Sequence, residues 1–182
     1  MTEVSESIGR LKRLRMLDLG HNQLTEVSDA IGELEGLTDF LYLHDNHLTG
    51  LPDSFGKLTK LRYLNLNENA FCKLPEQVTL LASLIELRIS DNQLSSLPDA
   101  IGRLTRLREL HLRNNKLPSL PESIGQLREL RQLDLRGNPL IRLPDVLATL
   151  PRLEKLDLRW MDSLEPPVWL AKLEERGCAV YL

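Results

Sequence analysis

The sequence predicts an α/β solenoid, in which one short coil of chain repeats and stacks into a curved rod with a parallel sheet along one side. Three observations predict it. Leu11, Leu34, Leu58, Leu81, Leu104, Leu127, Leu150 and Leu173 recur every 23 residues, with a single interval of 24. Inside most intervals the leucines run L-x-x-L-x-x-L-x-L, with one residue inserted in the second and Ile89 closing the fourth, which mixes threes with a two and so departs from the three-four spacing of a helix. Asparagine and proline also return at fixed places, at Asn22, Asn46, Asn69, Asn92, Asn115 and Asn138 and at Pro52, Pro75, Pro98, Pro121 and Pro144. A helical bundle would break at those prolines, whereas a fixed long period marks a repeat array.

Each position in the period has a physical task. The clearest copy, Leu104 to Gly125, reads LTRLRELHLRNNKLPSLPESIG. Leu110-x-Leu112 has the alternation of a short strand with one face buried. Asn115 follows where the chain must turn, and its amide can donate to and accept from backbone groups that the turn leaves unpaired. Pro121 sits on the return side, where no strand partner is wanted and a fixed φ is useful. The Ile-Gly pairs beginning at Ile31, Ile101 and Ile124 anchor the return segment and then release it.

Two irregularities stand out. The 24-residue copy holds one extra residue within Leu37-Thr38-Asp39-Phe40-Leu41, just before a strand. An insertion there predicts a bulge that turns Phe40 or Asp39 onto the open face. In the last repeat Met161 replaces the asparagine and Ser163 the following leucine, so the asparagine series is expected to stop at Asn138.

The ends differ. Met1-Thr2-Glu3-Val4 aligns with Leu24-Thr25-Glu26-Val27, so the chain enters within a return half. Terminal repeats normally need a polar cap. The expectation is an upstream part, a frayed end, or self-association through the uncapped N-terminal end. At the other end Pro166-Pro167 can start a helix over Val168 to Arg176, Gly177 can stop it, and Cys178 to Leu182 reads as an edge strand. The chain is thus expected to be a single domain, with residues 1–10 a partial repeat, 11–164 the repeats and 165–182 a C-terminal cap.

Composition bounds the function. Among 182 residues, 42% are hydrophobic, 27% are charged and only 4% are aromatic. The net charge of −3 argues against a general phosphate-backbone binder, so no nucleic-acid partner is expected. No apolar stretch approaches the ~18 residues needed to span a bilayer, and the N-terminus lacks a secretory signal. Two cysteines, Cys72 and Cys178, without CxxC spacing fit a reducing compartment, and a cytoplasmic location is expected.

The motif as a whole resembles the leucine-rich-repeat family over nearly the entire chain. Its L-P-x-x-I-G-x-L return half resembles the intracellular type found in Ras-suppressor and Scribble-like scaffolds, in plant intracellular relatives and in short bacterial proteins. The resemblance implies a right-handed superhelix with a parallel concave sheet of about seven short strands, an irregular or short-helical convex side and a C-terminal helix–strand cap. It also implies a protein-binding scaffold rather than an enzyme, since catalysis in such chains belongs to fused kinase, GTPase or ubiquitin-ligase parts. Recognition for such a larger protein is the alternative reading.

The expected docking surface is the row of side chains beside the strand leucines. Its central column is Asp18, Tyr42, Asn65, Arg88, His111, Asp134 and Asp157. Met16 and Tyr63 stand one column earlier, and His44, Arg113, Arg136 and Arg159 one column later, with Trp160 beyond. Two features exceed a generic polar face. Phe40, Tyr42, Tyr63 and Met16 gather in the first three strands, either as interface anchors or as ordinary cross-strand pairs. Arg113, Arg136 and Arg159 form a basic stripe beside Asp134, Asp157 and Trp160, either as a hot spot or as a charge ladder whose partners satisfy one another.

Other chemistry is not expected. Ser90, His111 and Asp134 fall on successive strands, but an open face offers a nucleophile neither a pocket nor an oxyanion stabiliser. His21, His44, His47 and Asp45 lie close together at one edge, yet their spacing matches no dedicated zinc motif. The glycines sit at repeat turns rather than in a phosphate-binding loop. No cofactor and no metal are therefore expected, and the partner is a protein.

Overall fold

A computed structural model describes residues 1–182. Eight three-residue strands form one open parallel sheet in chain order: β1 (Met16–Asp18), β2 (Phe40–Tyr42), β3 (Tyr63–Asn65), β4 (Glu86–Arg88), β5 (Glu109–His111), β6 (Gln132–Asp134), β7 (Lys155–Asp157) and β8 (Ala179–Tyr181). Seven come from the repeats and the eighth from the C-terminal segment. The central residues Leu17, Leu41, Leu64, Leu87, Leu110, Leu133, Leu156 and Val180 stand in register. Those of β2 to β7 are buried, so the residues on either side of each must face outward.

The other side of each coil is a five-residue 3₁₀ segment, seven in all. The first two begin after serine, with the hydroxyls of Ser5 and Ser28 accepting from the N–H groups of Ser7 and Ala30. The next five begin after proline at φ between −59° and −73°, the angle its ring imposes. Two devices thus start the same turn: a cap that satisfies a free N–H, and a ring that pre-sets the backbone. Phe55, Val78, Ile101 and Ile124 anchor these segments from beneath with no exposed surface.

The asparagines bolt neighbouring coils together. Asn115 Oδ1 accepts from the N–H of Leu94 in the preceding coil, while Nδ2 donates to Ile89 O and Leu112 O at 3.0 and 2.9 Å. Asn46, Asn69, Asn92 and Asn138 repeat the pattern. Asn22 makes the same contact with the partial coil before it, its Oδ1 accepting from the Met1 amine at 3.0 Å.

The extra residue of the second repeat does form a bulge. Elsewhere two successive N–H groups share one carbonyl, as Ile85 and Glu86 share Arg62 O. Here Thr38 O and Asp39 O each accept one, from Arg62 and Tyr63. Asp39 pairs with Arg15 at 3.0 Å, and the Phe40 ring is turned out to 41% exposure.

The two ends of the core are finished differently. Leu11 is exposed, and Val4, Ile8, Leu14 and Leu17 are only partly covered. At the far end helix α1 (Leu170–Glu175) lays Trp169, Leu170 and Leu173 over the last coil. The Trp169 indole N–H donates to Asp145 at 2.9 Å, and Gly177 at φ +87° turns the chain into β8. No helix is long and apolar enough to cross a membrane.

Both cysteines are free, Cys72 exposed and Cys178 buried. Burial pushes the Cys178 thiol up, which lowers its thiolate fraction as well as its access. A colorimetric thiol titration of the folded chain should therefore show one fast-reacting sulfur, lost in Cys72→Ser, and a second only after unfolding. Two fast thiols would contradict this packing.

Candidate functional site

The strands place the expected docking residues on one face, but not all of them present surface. Met16 and Asp18 are exposed at the β1 edge, and Phe40 is exposed beside them. Tyr42, His44, Tyr63, Arg88, His111, Arg113, Asp134, Arg136 and Arg159 are half-buried, and Trp160 is exposed. Asn65 and Asp157 correct the expectation, for both are buried. Asn65 is a short side chain between Tyr42 and Arg88 in register, and its Oδ1 accepts from the Asn67 N–H. Asp157 is 1% exposed beneath two arginines.

At the N-terminal half the bulge assembles an aromatic patch. Phe40 stacks on Tyr42 with ring centroids 6.1 Å apart and leans on Tyr63 at 5.3 Å. Tyr42 and Tyr63 meet at 5.2 Å, and the Arg88 guanidinium lies 5.9 Å over the Tyr63 ring. Burial pushes the Tyr63 hydroxyl up, with Glu86 and Tyr42 adding to it against the opposing charge of Arg88. A shallow concavity of about 370 Å³ opens beside these rings, lined by Arg15, Asp39, Phe40, Arg62, Tyr63, Ile85 and Glu86. A strict 23-residue period would have put Asp39 in line with Met16; the inserted residue puts Phe40 there instead, in register with Met16 and Tyr63.

The C-terminal stripe is neutralised internally. Arg136 binds Asp134 through two nitrogens at 2.9 and 2.6 Å, Arg159 binds Asp157 at 2.9 and 2.7 Å, and Arg113 reaches Asp91 at 3.1 Å. Burial pushes the Asp157 carboxyl up, but the hydrogen bonds from Arg159 and the charge of Arg136 outweigh it and hold the group below its ordinary value. Its contribution to stability is thus present above the unfolded value of about 3.9 and is lost as pH falls through the lower folded value. Trp160 takes a left-handed φ of 63°, rare for a bulky residue, with Arg136 and Arg159 5.4 and 5.9 Å from its ring. His21, Asp45, Glu68, Asp91 and Asn114 share that φ at the same turn, so the coil rather than the tryptophan imposes it.

Between the two ends lies a cluster that the motif reading missed. Glu86 and Glu109 face each other in register, and His111 Nε2 stands 3.3 Å from Glu109 and 3.8 Å from Glu86. The three offer ligand atoms within 4.8 Å of one another. Arg88 Nε already sits 2.5 Å from the Glu86 oxygen, so a cation there must compete with a guanidinium. The recurrence of glutamate one period apart was the available signal. The same contacts dismantle the Ser90–His111–Asp134 reading, since His111 turns to the glutamates, Asp134 is held by Arg136, and Ser90 is buried.

Comparison with known proteins follows the same lines. A model described as leucine-rich repeat region matches residues 52–119, and one described as leucine rich repeat matches 13–34, 39–58 and 129–150. A leucine-rich-repeat protein of Leptospira interrogans superposes at a TM-score of 0.78, with 32% identity over 100% of this chain and 52% of that one. An internalin of Listeria monocytogenes gives 0.82, with 24% identity over 98% of this chain and 50% of its own. The plant peptide hormone receptor RGFR1 in complex with RGF2 gives 0.82, with 26% identity over 100% of this chain and 30% of the receptor. The chain therefore spans about half or less of the solved proteins it matches. No curated protein matches it significantly.

Proposed function

Because this chain belongs to the leucine-rich-repeat family, we propose that it holds a protein partner on the open face of its sheet, anchored by Phe40, Tyr42 and Tyr63. The observation that carries the reading is the patch itself. Three of the chain's eight phenylalanine, tyrosine and tryptophan residues are packed together, stacked or tilted, on one open surface. Aromatic anchors beside a concavity are the usual centres of binding energy. The basic stripe is the weaker candidate, because its arginines already have carboxylate partners. Cytoplasmic residence belongs to the same proposal and rests on the exposed free thiol of Cys72. The fold is one whose members are typically non-catalytic.

A second reading rests on the partial coverage of the matched proteins: the chain would be the recognition part of a longer enzyme or effector, with catalysis outside these residues. The docking face is the same in both.

Affinity capture from the native cell tests the proposal. Tyr63→Ala should weaken a captured partner by about thirtyfold or more, and Phe40→Ala similarly, with thermal unfolding little changed. Equal recovery by wild type and a Phe40→Ala/Tyr63→Ala double variant would remove the patch from consideration.

A further inference from the structure

Beside the aromatic patch, at the β1–β2 edge, two histidine rings converge. His21 Nε2 lies 3.2 Å from His44 Nε2, with ring centroids 4.6 Å apart and planes 79° apart. The other nitrogen of His21, Nδ1, is 2.7 Å from Asp45 Oδ2. A carboxylate at Nδ1 keeps the proton on that side and leaves the Nε2 lone pair free. This is the arrangement in which an outer carboxylate orients a metal-binding imidazole. Two nitrogens that ligate one tetrahedral zinc at about 2.0–2.1 Å stand about 3.3 Å apart, so the rings already have the required separation.

The backbone builds this pair. His21 sits at the left-handed turn position, φ 54°, which aims its ring across to the next coil. Gly20 provides the floor: a Cβ there would fall 2.6 Å from His44 Nδ1 and 3.0 Å from its Nε2. Tyr42 closes the far side, edge to face with the His44 ring at 6.0 Å. The repeat brings these two positions together in successive coils, as Asp45 with Asn67, Glu68 with Ser90 and Asp91 with Arg113, but here both are histidine.

We propose that His21 and His44 form a site for a first-row transition metal, with zinc the fitting probe. Both Nε2 atoms ligate the ion, Asp45 orients the His21 ring, and water fills the remaining positions. Imidazole nitrogen suits zinc, copper and nickel rather than magnesium or calcium. Binding moves the one proton that the two rings share between their Nε2 atoms onto His44 Nδ1, with no net release from the neutral rings. His44 must then carry its proton on Nδ1, a buried atom with no hydrogen-bond partner, which weakens the binding. Glu86, Glu109 and His111 are the weaker candidate because Arg88 occupies the Glu86 oxygen. The site is independent of the protein-docking reading and stands if the aromatic patch binds nothing.

Zinc chloride titrated into the full chain, followed by calorimetry and by the imidazole Cε1–H resonances, tests it. The expected result is one zinc per chain, with the His21 and His44 resonances moving together. His21→Ala and His44→Ala should each weaken binding at least about tenfold, and Asp45→Asn about tenfold. Gly20→Ala removes no ligand but displaces the His44 ring, and should weaken binding comparably while circular dichroism stays unchanged. His47→Ala should leave binding intact. No zinc binding below millimolar concentration, affinity indifferent to His21→Ala and His44→Ala, or loss on His47→Ala would each overturn the site.

Discussion

Asn115→Ala is expected to lower stability by about 3 kcal/mol, a fall of roughly 6–12 °C in melting temperature for a chain of this size. The estimate follows from which groups lose all their partners. Ile89 O also accepts from Asn92, and Leu112 O also accepts from Asn138, so both carbonyls keep one bond. The Leu94 N–H has only Asn115 Oδ1 and becomes a buried orphan, worth about 1–3 kcal/mol on its own, with the lost amide bonds adding about 1 kcal/mol each. Asn115→Asp sharpens the test. The new side chain still accepts from Leu94, but its second oxygen is aimed at Ile89 O, Leu112 O and Arg113 O. The introduced carboxyl is therefore pushed up, and its penalty is full at neutral pH. It should shrink as pH falls through that raised value, when the protonated form can donate. Denaturant melts of both variants from pH 7 to pH 4 check this. Asn115→Asp as stable as wild type at neutral pH would refute the bolt. Asn22→Ala is the matched control, since its Oδ1 meets only the terminal amine and its loss should cost little.

The backbone role of the asparagines was legible in the sequence, though the partners that each carbonyl keeps were not. The recurrence of asparagine at one place per period could only mean a backbone partner at each turn, because a solvated turn has no need of one residue type. The coil, the strand leucines and the proline-started return segments follow from the same periodicity. The site is less legible, because periodicity is silent about residues that differ between repeats. It set Asn65 and Asp157 among the outward-facing columns, but a short side chain between longer neighbours is covered, and a carboxylate between two arginines is drawn under them. It gave the His21, His44 and Asp45 group no spacing worth reading. Their convergence depends on a glycine one residue before the first histidine and on a left-handed turn. The turn recurs in every coil and so does not single out His21, and one glycine has no spacing signature. The bulge is intermediate. Its existence was readable from the one long interval, and the choice between Phe40 and Asp39 was settled by Arg15, which holds Asp39 and leaves the ring outside.

Phe71→Ala should be costlier still, about 3–5 kcal/mol, because it removes a wholly buried ring and leaves a cavity that a stacked array can close only in part. Leu24, Leu48, Leu94, Leu117 and Leu140 hold the equivalent place, all with no exposed surface. By motif alone Phe71→Leu restores the rule and ought to help. Packing says otherwise: the neighbouring coils have closed around a phenylalanine, and a leucine there should cost about 1 kcal/mol. The damage should also be directional. Coils in such an array contact only their neighbours. The C-terminal side is closed by α1, whereas the N-terminal side ends on the exposed Leu11 and the partly covered Leu14 and Leu17. A weakened third coil thus leaves β1 and β2 with an open end on one side and a poor neighbour on the other. Hydrogen exchange on Phe71→Ala should show protection falling first at the Leu19 and Leu43 amides, with those of Leu135 and Leu158 retained. Loss that is uniform along the sheet would mean that the array unfolds as one unit and that the closing helix confers no directional advantage.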